Sequence, residues 1–176
     1  MITLEKYTEL VFPIIKHCAE VSMLDDFSKD HIWYLNRQVF YGFGAYHSSK
    51  IYHSQKALLA FNELYSDYVA KCKSENKVPK ELTIETLTWA QQPIIDKGRE
   101  LLLFEHMYTG TMFRDDVLKY YKSGKEFNVA AIVQLIKDKY SVCLIAKNEN
   151  TQLHKTQRGD NPFEYYKKQK IDIVNL

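Results

Sequence analysis

Residues 128–146 read NVAAIVQLIKDKYSVCLIA, and this stretch decides the fold class of the chain. Asn128 is a favoured N-cap residue, and the apolar side chains after it return every three or four positions, which is the spacing of one helical face. The seven residues that follow, YSVCLIA at 140–146, are rich in strand-forming side chains. The stretch therefore predicts a helix over 129–139 that leads directly into a buried strand.

Downstream, a second helix and a second strand are predicted. Asn161, Pro162 and Glu164 supply an N-cap, a proline in the first turn and an early acid, which together are typical of a helix start. This helix should end near Gln169, and Ile171-Asp172-Ile173-Val174 should form a strand. Because two strands joined across a helix usually lie parallel, we expect a parallel, right-handed unit here.

Upstream, the chain is predicted to be mainly helical. Residues 4–24, 31–46 and 49–73 carry apolar side chains at helical spacing. A threonine at position 83 is placed to cap a further helix through residue 90. Only 6 glycines and 4 prolines interrupt the chain, which favours long elements.

Two segments between these parts complete the prediction. Thr111 is placed to cap a helix over residues 112–122. Residues 96–107 contain the run Leu101-Leu102-Leu103-Phe104, which fits either a buried strand or a buried helical turn, so both alternatives stay open.

The predicted fold class is α+β, with a mostly helical N-terminal half and a small C-terminal strand–helix–strand element. A length of 176 residues is typical of one domain. We therefore expect a single domain over residues 1–176, with a helical part at 1–92 and an α/β part at 93–176.

Composition excludes several classes of protein. The chain has 24 Lys plus Arg against 22 Asp plus Glu, a net charge of +2, so it is not a polycation of the kind that coats nucleic acid. Its 3 cysteines form no CxxC pair, which argues against a disulfide framework or a zinc knuckle. With no long apolar stretch and no signal pattern, we expect a cytoplasmic protein without a membrane partner, and no motif points to a cofactor.

A first catalytic hypothesis rests on Arg99 and His106. If residues 96–107 are helical, seven steps of 100° bring both side chains to one face, where arginine can bind a phosphate and histidine can transfer a proton. The segment RELLLFEH, with six residues between the two, resembles the arginine-to-histidine motif of the HEPN ribonucleases. The resemblance covers eight residues and implies RNA cleavage.

A second catalytic hypothesis applies if residues 101–106 form a strand. Glu105 and His106 then lie at its carboxyl end, Lys147 follows the 140–146 strand, and His154 and Arg158 lie in the next loop. Sites of α/β proteins collect at such strand ends. An acid, a histidine and a lysine that converge there could bind a divalent metal ion and a phosphodiester.

A surplus of aromatic residues points instead to binding. Between residues 33 and 53 more rings occur than one helical face can bury, and cations are interleaved with them. This mixture suits base stacking and equally suits a protein interface. The predicted partner-binding residues are Trp33, Tyr34, Arg37, Tyr41 and Tyr46.

The sequence thus leads to two functional hypotheses. The favoured one is a small binding protein that docks a macromolecular partner, in the manner of an immunity protein or antitoxin that inhibits a toxin or nuclease. The alternative is a nuclease that cleaves RNA or DNA with Arg99, Glu105 and His106, aided by Lys147 and His154. Only this alternative requires nucleic acid as a partner, and only it would use a divalent metal ion.

Overall fold

The computed structural model describes residues 2–24, 39–44, 50–154 and 158–174. Helices dominate the N-terminal half, and four strands form a small mixed sheet, so the predicted α+β class is confirmed. The chain forms two compact units. The helical unit comprises the described residues of 2–50 together with 108–140, and the sheet unit comprises 51–107, 141–154 and 158–174. The assignment of one domain divided at residue 92 stays a prediction.

The described elements follow one another in this order along the chain. The helices are α1 (Leu4–Val21), α2 (Phe40–Phe43), α3 (Gln55–Ser74), α4 (Gly110–Lys122), α5 (Val129–Lys139) and α6 (Pro162–Lys168). The strands are β1 (Lys50–Ser54), β2 (Leu102–His106), β3 (Ser141–Ala146) and β4 (Ile173–Val174). Short 3₁₀ helices lie at Gln92–Ile94 and Lys147–Gln152. Among the described residues, none of the helices combines the length and the apolar character needed to cross a bilayer.

All the described α-helices except α2 begin at a residue whose side chain caps them. The Asn128 Oδ1 accepts the N–H of Ala131 at 3.0 Å, and the Asn161 Oδ1 accepts that of Phe163 at 3.1 Å, so both predicted caps are confirmed. α4 starts earlier than predicted because Thr109, not Thr111, accepts the N–H of Met112.

The core of the helical unit is largely aromatic. Phe40, Phe43 and Phe113 are fully buried, and the Phe40 ring lies 5.6 Å from that of Phe113 and 5.3 Å from that of Tyr140. α1 packs against α5 and α4 through its buried face. Some of the many aromatic residues of the sequence therefore form the core of this unit and do not belong to a binding surface. The prediction of a helix over 31–46 is tested only at 39–44, because its other residues lie outside the described part.

The sheet of the other unit has the strand order β2-β3-β1-β4. β2 pairs antiparallel with β3, so that Leu102 lies opposite Ala146 and His106 opposite Val142. β4 pairs antiparallel with β1. α3 covers one face of the sheet with Phe61 against the residues of β2 and β3, and α6 covers the other face with Tyr166.

Three predictions about this unit are wrong. Residues 49–73 are not one helix, because β1 comes first and Ser54 then caps α3 by accepting the Ala57 N–H at 3.0 Å. The last two strands are not a parallel pair, since β1 lies between β3 and β4. Residues 83–90 form turns instead of a helix, because side chains there compete for the backbone, as Gln91 does by accepting the Thr88 N–H at 2.9 Å.

The open question about residues 96–107 is also settled. Residues 102–106 form β2, and Arg99 has a φ of +54°, which no α-helix tolerates. The helical alternative, which would have placed Arg99 and His106 on one face, is therefore wrong.

Candidate functional site

A tight turn before β2 holds Arg99 against an exposed tryptophan. The Arg99 Cζ lies 4.0 Å from the centroid of the Trp89 ring, and its Nη2 donates a hydrogen bond to the Trp89 carbonyl at 3.2 Å. The Trp89 side chain also meets the ring of Phe104 edge-on. It nevertheless remains 53% exposed, so one face of a Trp–Arg stack is presented to solvent.

The turn is held by a buried carboxylate. Asp96 is 2% exposed and accepts backbone N–H groups of Glu100, at 3.0 Å, and Leu102, at 2.9 Å, and more weakly that of Leu101. The amide of Gln92 donates both to Asp96, at 2.9 Å, and to the Leu102 carbonyl, at 2.8 Å. This network fixes the unusual backbone that carries Arg99.

A groove of about 330 Å³ begins directly after this turn. Leu101 on one side and Leu59 of α3 on the other are half exposed, at 52% and 55%, and both line it. Lys56 and Lys147 also line it, and the Lys147 Nζ donates to the Arg99 carbonyl at 3.1 Å, which ties the groove to the Trp–Arg stack. Glu63 and Glu100 complete its charged rim. We call the Trp89–Arg99 stack together with the groove residues Leu59, Leu101 and Lys147 the docking surface.

Glu105 lies elsewhere, in an ion pair with Arg158. The Arg158 side chain is 1% exposed, and its guanidinium lies 5.4 Å from the Tyr165 ring centroid. Burial raises the pKa of Glu105, and the nearby Arg158 opposes this shift. The pair joins the end of the loop after β3 to β2, and because the Arg158 side chain is buried, it is not open to a phosphate from solvent.

Cys143 faces Glu105 across the β2–β3 ladder. Burial, with Glu149 and Glu105 nearby, raises the pKa of the Cys143 thiol. A thiol that stays protonated is a poor nucleophile, so Cys143 is packed as a small apolar residue. Glu149 itself is buried and accepts the Ser54 hydroxyl at 2.6 Å and the Ala146 N–H at 2.9 Å, which connects β3 to the start of α3.

His106 does not join Glu105. Consecutive strand residues point to opposite faces of a sheet, so the two side chains diverge. Burial lowers the pKa of His106 to about 4, which leaves the imidazole neutral near pH 7. The antiparallel register places His106 beside Val142, whereas Lys147 lies at the other end of β2, where its N–H donates to the Leu101 carbonyl at 2.8 Å.

The predicted site residues are thus divided among several places. Arg99 and Lys147 come together at the beginning of β2, Glu105 lies with Arg158, and His106 lies at the other end of the strand. His154 is exposed, and its backbone N–H donates to the Tyr165 hydroxyl at 2.6 Å. Within the described residues, no three His, Cys, Asp or Glu side chains come together in a way that could hold a metal ion.

Of the predicted partner-binding residues, the structure describes one. Tyr41 in α2 is 54% exposed, with its ring 5.8 Å from that of Phe40. The other four, Trp33, Tyr34, Arg37 and Tyr46, lie outside the described residues.

Sequence reasoning missed Trp89 and Leu59, which are 53% and 55% exposed in the docking surface. Both lay within predicted helices, and neither was singled out as a candidate binding residue. The signal for Trp89 was its setting among Thr83, Thr86 and Thr88, since a large ring within a polar, turn-forming segment has little core to enter.

Comparisons with protein-family models, with curated proteins and with solved structures find no significant match.

Proposed function

We propose that this chain is a binding protein that docks a folded protein partner through the docking surface. The observation that carries the proposal is the half-exposed Trp89 ring stacked on Arg99 beside an apolar groove. Tryptophan and arginine are the residues most enriched at the energetic centres of protein interfaces, and such centres lie next to pockets that the partner fills.

Contacts within the chain hold the surface in place. Asp96 and Gln92 hold the backbone of the turn, the Trp89 carbonyl holds the Arg99 guanidinium, and Phe104 supports the Trp89 ring. Ordering a rotamer-rich side chain on binding costs about 0.5–1.5 kcal/mol. A guanidinium that is already stacked avoids most of this cost, which favours a binding role for the stack.

The chemistry of the groove supports a partner segment with an aliphatic side chain. Leu59 and Leu101 offer apolar walls, and Lys56, Lys147, Glu63 and Glu100 offer a rim of both charge signs. An apolar centre with a polar rim is the usual anatomy of a protein interface. The more specific hypothesis of an immunity- or antitoxin-like inhibitor stays a proposal, tested by whether the bound partner is a toxin or nuclease that loses activity in the complex.

The nuclease alternative has less support. It needs Arg99 and His106 at one reacting phosphate, but the whole of β2, roughly 13 Å from Leu102 to His106, lies between the two positions. Glu105 is already paired with Arg158. No pair of the proposed catalytic side chains Arg99, Glu105 and His106 is brought together.

Site-directed photo-crosslinking in cells tests the docking proposal. A benzophenone amino acid at position 101 should capture one discrete protein, and the same group at position 78 should not. Val78 is a matched control, because it is apolar and 94% exposed but does not line the groove. Addition of Trp89→Ala to the position-101 variant should abolish the capture. Equal capture from both positions, or capture that survives Trp89→Ala, would overturn the proposal.

A further inference from the structure

The wall of the groove that is formed by α3 carries one charge of each sign. Lys56 and Glu63 both line the groove and are exposed. They are seven residues apart, so their side chains leave the helix within about 20° of each other and about 10 Å apart along its axis. Leu59, which is 55% exposed, lies between them. Along α3 the groove therefore presents a cation, a leucine and then a carboxylate.

Neither charge has a counter-charge within the described part of the chain. None of the described acidic residues lies within ion-pair distance of Lys56, and none of the described basic residues lies within that distance of Glu63. The opposite wall supplies Lys147 and Glu100, one of each sign, and the Lys147 Nζ already donates to the Arg99 carbonyl at 3.1 Å. Because that wall adds no net charge, α3 determines the direction of charge along the groove.

This charge order favours one kind of partner segment. With an aliphatic side chain between Leu59 and Leu101, an acid on one side of it faces Lys56 and a base on the other side faces Glu63. Complementary charges at an interface steer the approach and fix the register, whereas like charges placed together are strongly unfavourable. A neutral segment leaves both charges unpaired, and a uniformly charged one matches one end of the groove and opposes the other.

We propose that the groove binds a partner segment in which an aliphatic residue lies between an acid and a base, with the acid paired to Lys56 and the base to Glu63. This inference rests on the docking function proposed above and adds the chemistry of the segment that enters the groove. The two charges of the segment should lie about 10 Å apart, to match their separation on α3. Exposed ion pairs contribute little affinity individually, so the charges should act mainly on the choice and orientation of the segment.

An exchange of the two α3 charges tests the proposal. Lys56→Glu combined with Glu63→Lys reverses the charge order, keeps the net charge and uses residues of similar helix propensity. The probe is a random peptide library displayed on phage and selected on the wild-type full chain, from which peptides that still bind the Leu101→Asp variant are discarded. The remaining peptides should carry the acid, the aliphatic residue and the base. Their Kd for the exchanged variant should rise at least about tenfold, because like charges then face each other.

The peptides and the protein each provide a control. Exchange of the acid and the base within a selected peptide should restore its binding to the exchanged variant. Asp67→Lys with Lys71→Glu, a matched exchange at exposed α3 positions that do not line the groove, should leave the Kd unchanged. Selected peptides without this charge pattern, or an equal Kd for the wild type and the exchanged variant, would overturn the proposal. Because the selection needs no cellular partner, its failure is distinguishable from an absence of crosslinking at position 101, which would overturn the docking function instead.

Discussion

At the scale of single residues, Asp96 holds the backbone of the docking surface. Its buried carboxylate accepts N–H groups from three consecutive residues of the turn and one donor from the Gln92 side chain. Loss of such an acceptor leaves buried donors without a partner, each at a cost of about 1–3 kcal/mol. We predict that Asp96→Ala lowers the free energy of unfolding by about 2–4 kcal/mol in urea titrations.

The matched control for this prediction is Asp67→Ala. Asp67 is exposed on α3, so its removal should change the stability by less than about 0.5 kcal/mol. If the two variants lose the same small amount, the carboxylate of Asp96 does not organise the turn.

Gly42 is a second residue at which the structure leaves no room for a side chain. A Cβ at this position would lie 1.8 Å from the Tyr7 Oη and 2.4 Å from its Cζ, so the ring must move. In an open helix, Gly→Ala stabilises by about 1 kcal/mol. We predict the opposite sign for Gly42→Ala, a loss of about 2 kcal/mol or more, as expected for overpacking. Thermal melts of this variant and of the wild type should show a lower Tm for Gly42→Ala. A rise in Tm would contradict the close approach of the Tyr7 ring to Gly42.

Substitution of Arg99 should weaken partner binding without much change in stability. Its φ of +54° is unfavourable for a residue with a side chain and natural for glycine. Arg99→Gly should therefore change the free energy of unfolding by less than about 1 kcal/mol, because relief of backbone strain offsets the lost stack. The same variant should bind the crosslinked partner at least about tenfold more weakly in calorimetry. A variant that unfolds would show that Arg99 is needed for the fold, and a folded variant that binds normally would show that Arg99 does not contribute to binding.

At the scale of secondary-structure elements, β2 carries the half-buried His106, whose imidazole is neutral near pH 7. Burial lowers the pKa of His106 to about 4 in the folded state, while the unfolded chain takes up this proton near pH 6.5. The unfolded state is therefore favoured increasingly as the pH falls from 6.5 towards 4. His106 should account for a stability loss of about 3 kcal/mol over this window, with no further change below it.

Urea titrations at several pH values check this prediction. In His106→Gln the dependence of stability on pH between 6.5 and 4 should become shallower than in the wild type. Burial also lowers the pKa of His53, so part of the slope will remain in this variant. An unchanged slope in His106→Gln would contradict the burial of this imidazole.

The ion pair between Glu105 in β2 and Arg158 in the loop before α6 allows a separate prediction. Glu105→Gln leaves the buried Arg158 without its counter-charge, which should destabilise the fold by about 3 kcal/mol. The double variant Glu105→Gln with Arg158→Met removes both charges and should recover at least about 1 kcal/mol of this loss. Additive losses in the double-mutant cycle would show that the two side chains do not interact.

The elements that could be predicted from the sequence are those with local signals. The helices after Asn128 and Asn161 begin where their caps predict, because a cap is a property of three or four neighbouring residues. β1 was missed because Lys50–Ser54 runs directly into α3, so its five residues were absorbed into the helical pattern that follows. The run of leucines before β2 fits either structure, and only its pairing with β3 decides between them.

At the scale of the whole molecule, the candidate site is assembled from distant stretches. Leu59, Trp89, Leu101 and Lys147 are brought together by the packing of α3 and the pairing of β2 with β3. No local sequence pattern indicates that these four residues lie close together. For this reason Arg99 and Lys147 were singled out for a catalytic role with His106, while Trp89, the residue that presents the largest ring, was passed over.

Calorimetry with the purified crosslinked partner tests whether this assembled surface docks a protein. Removal of a central tryptophan typically costs about 2 kcal/mol or more, which corresponds to a roughly 30-fold weaker Kd. We predict a loss of this size for Trp89→Ala and no measurable change for Val78→Ala. Equal affinity of the partner for wild type and Trp89→Ala would contradict the claim.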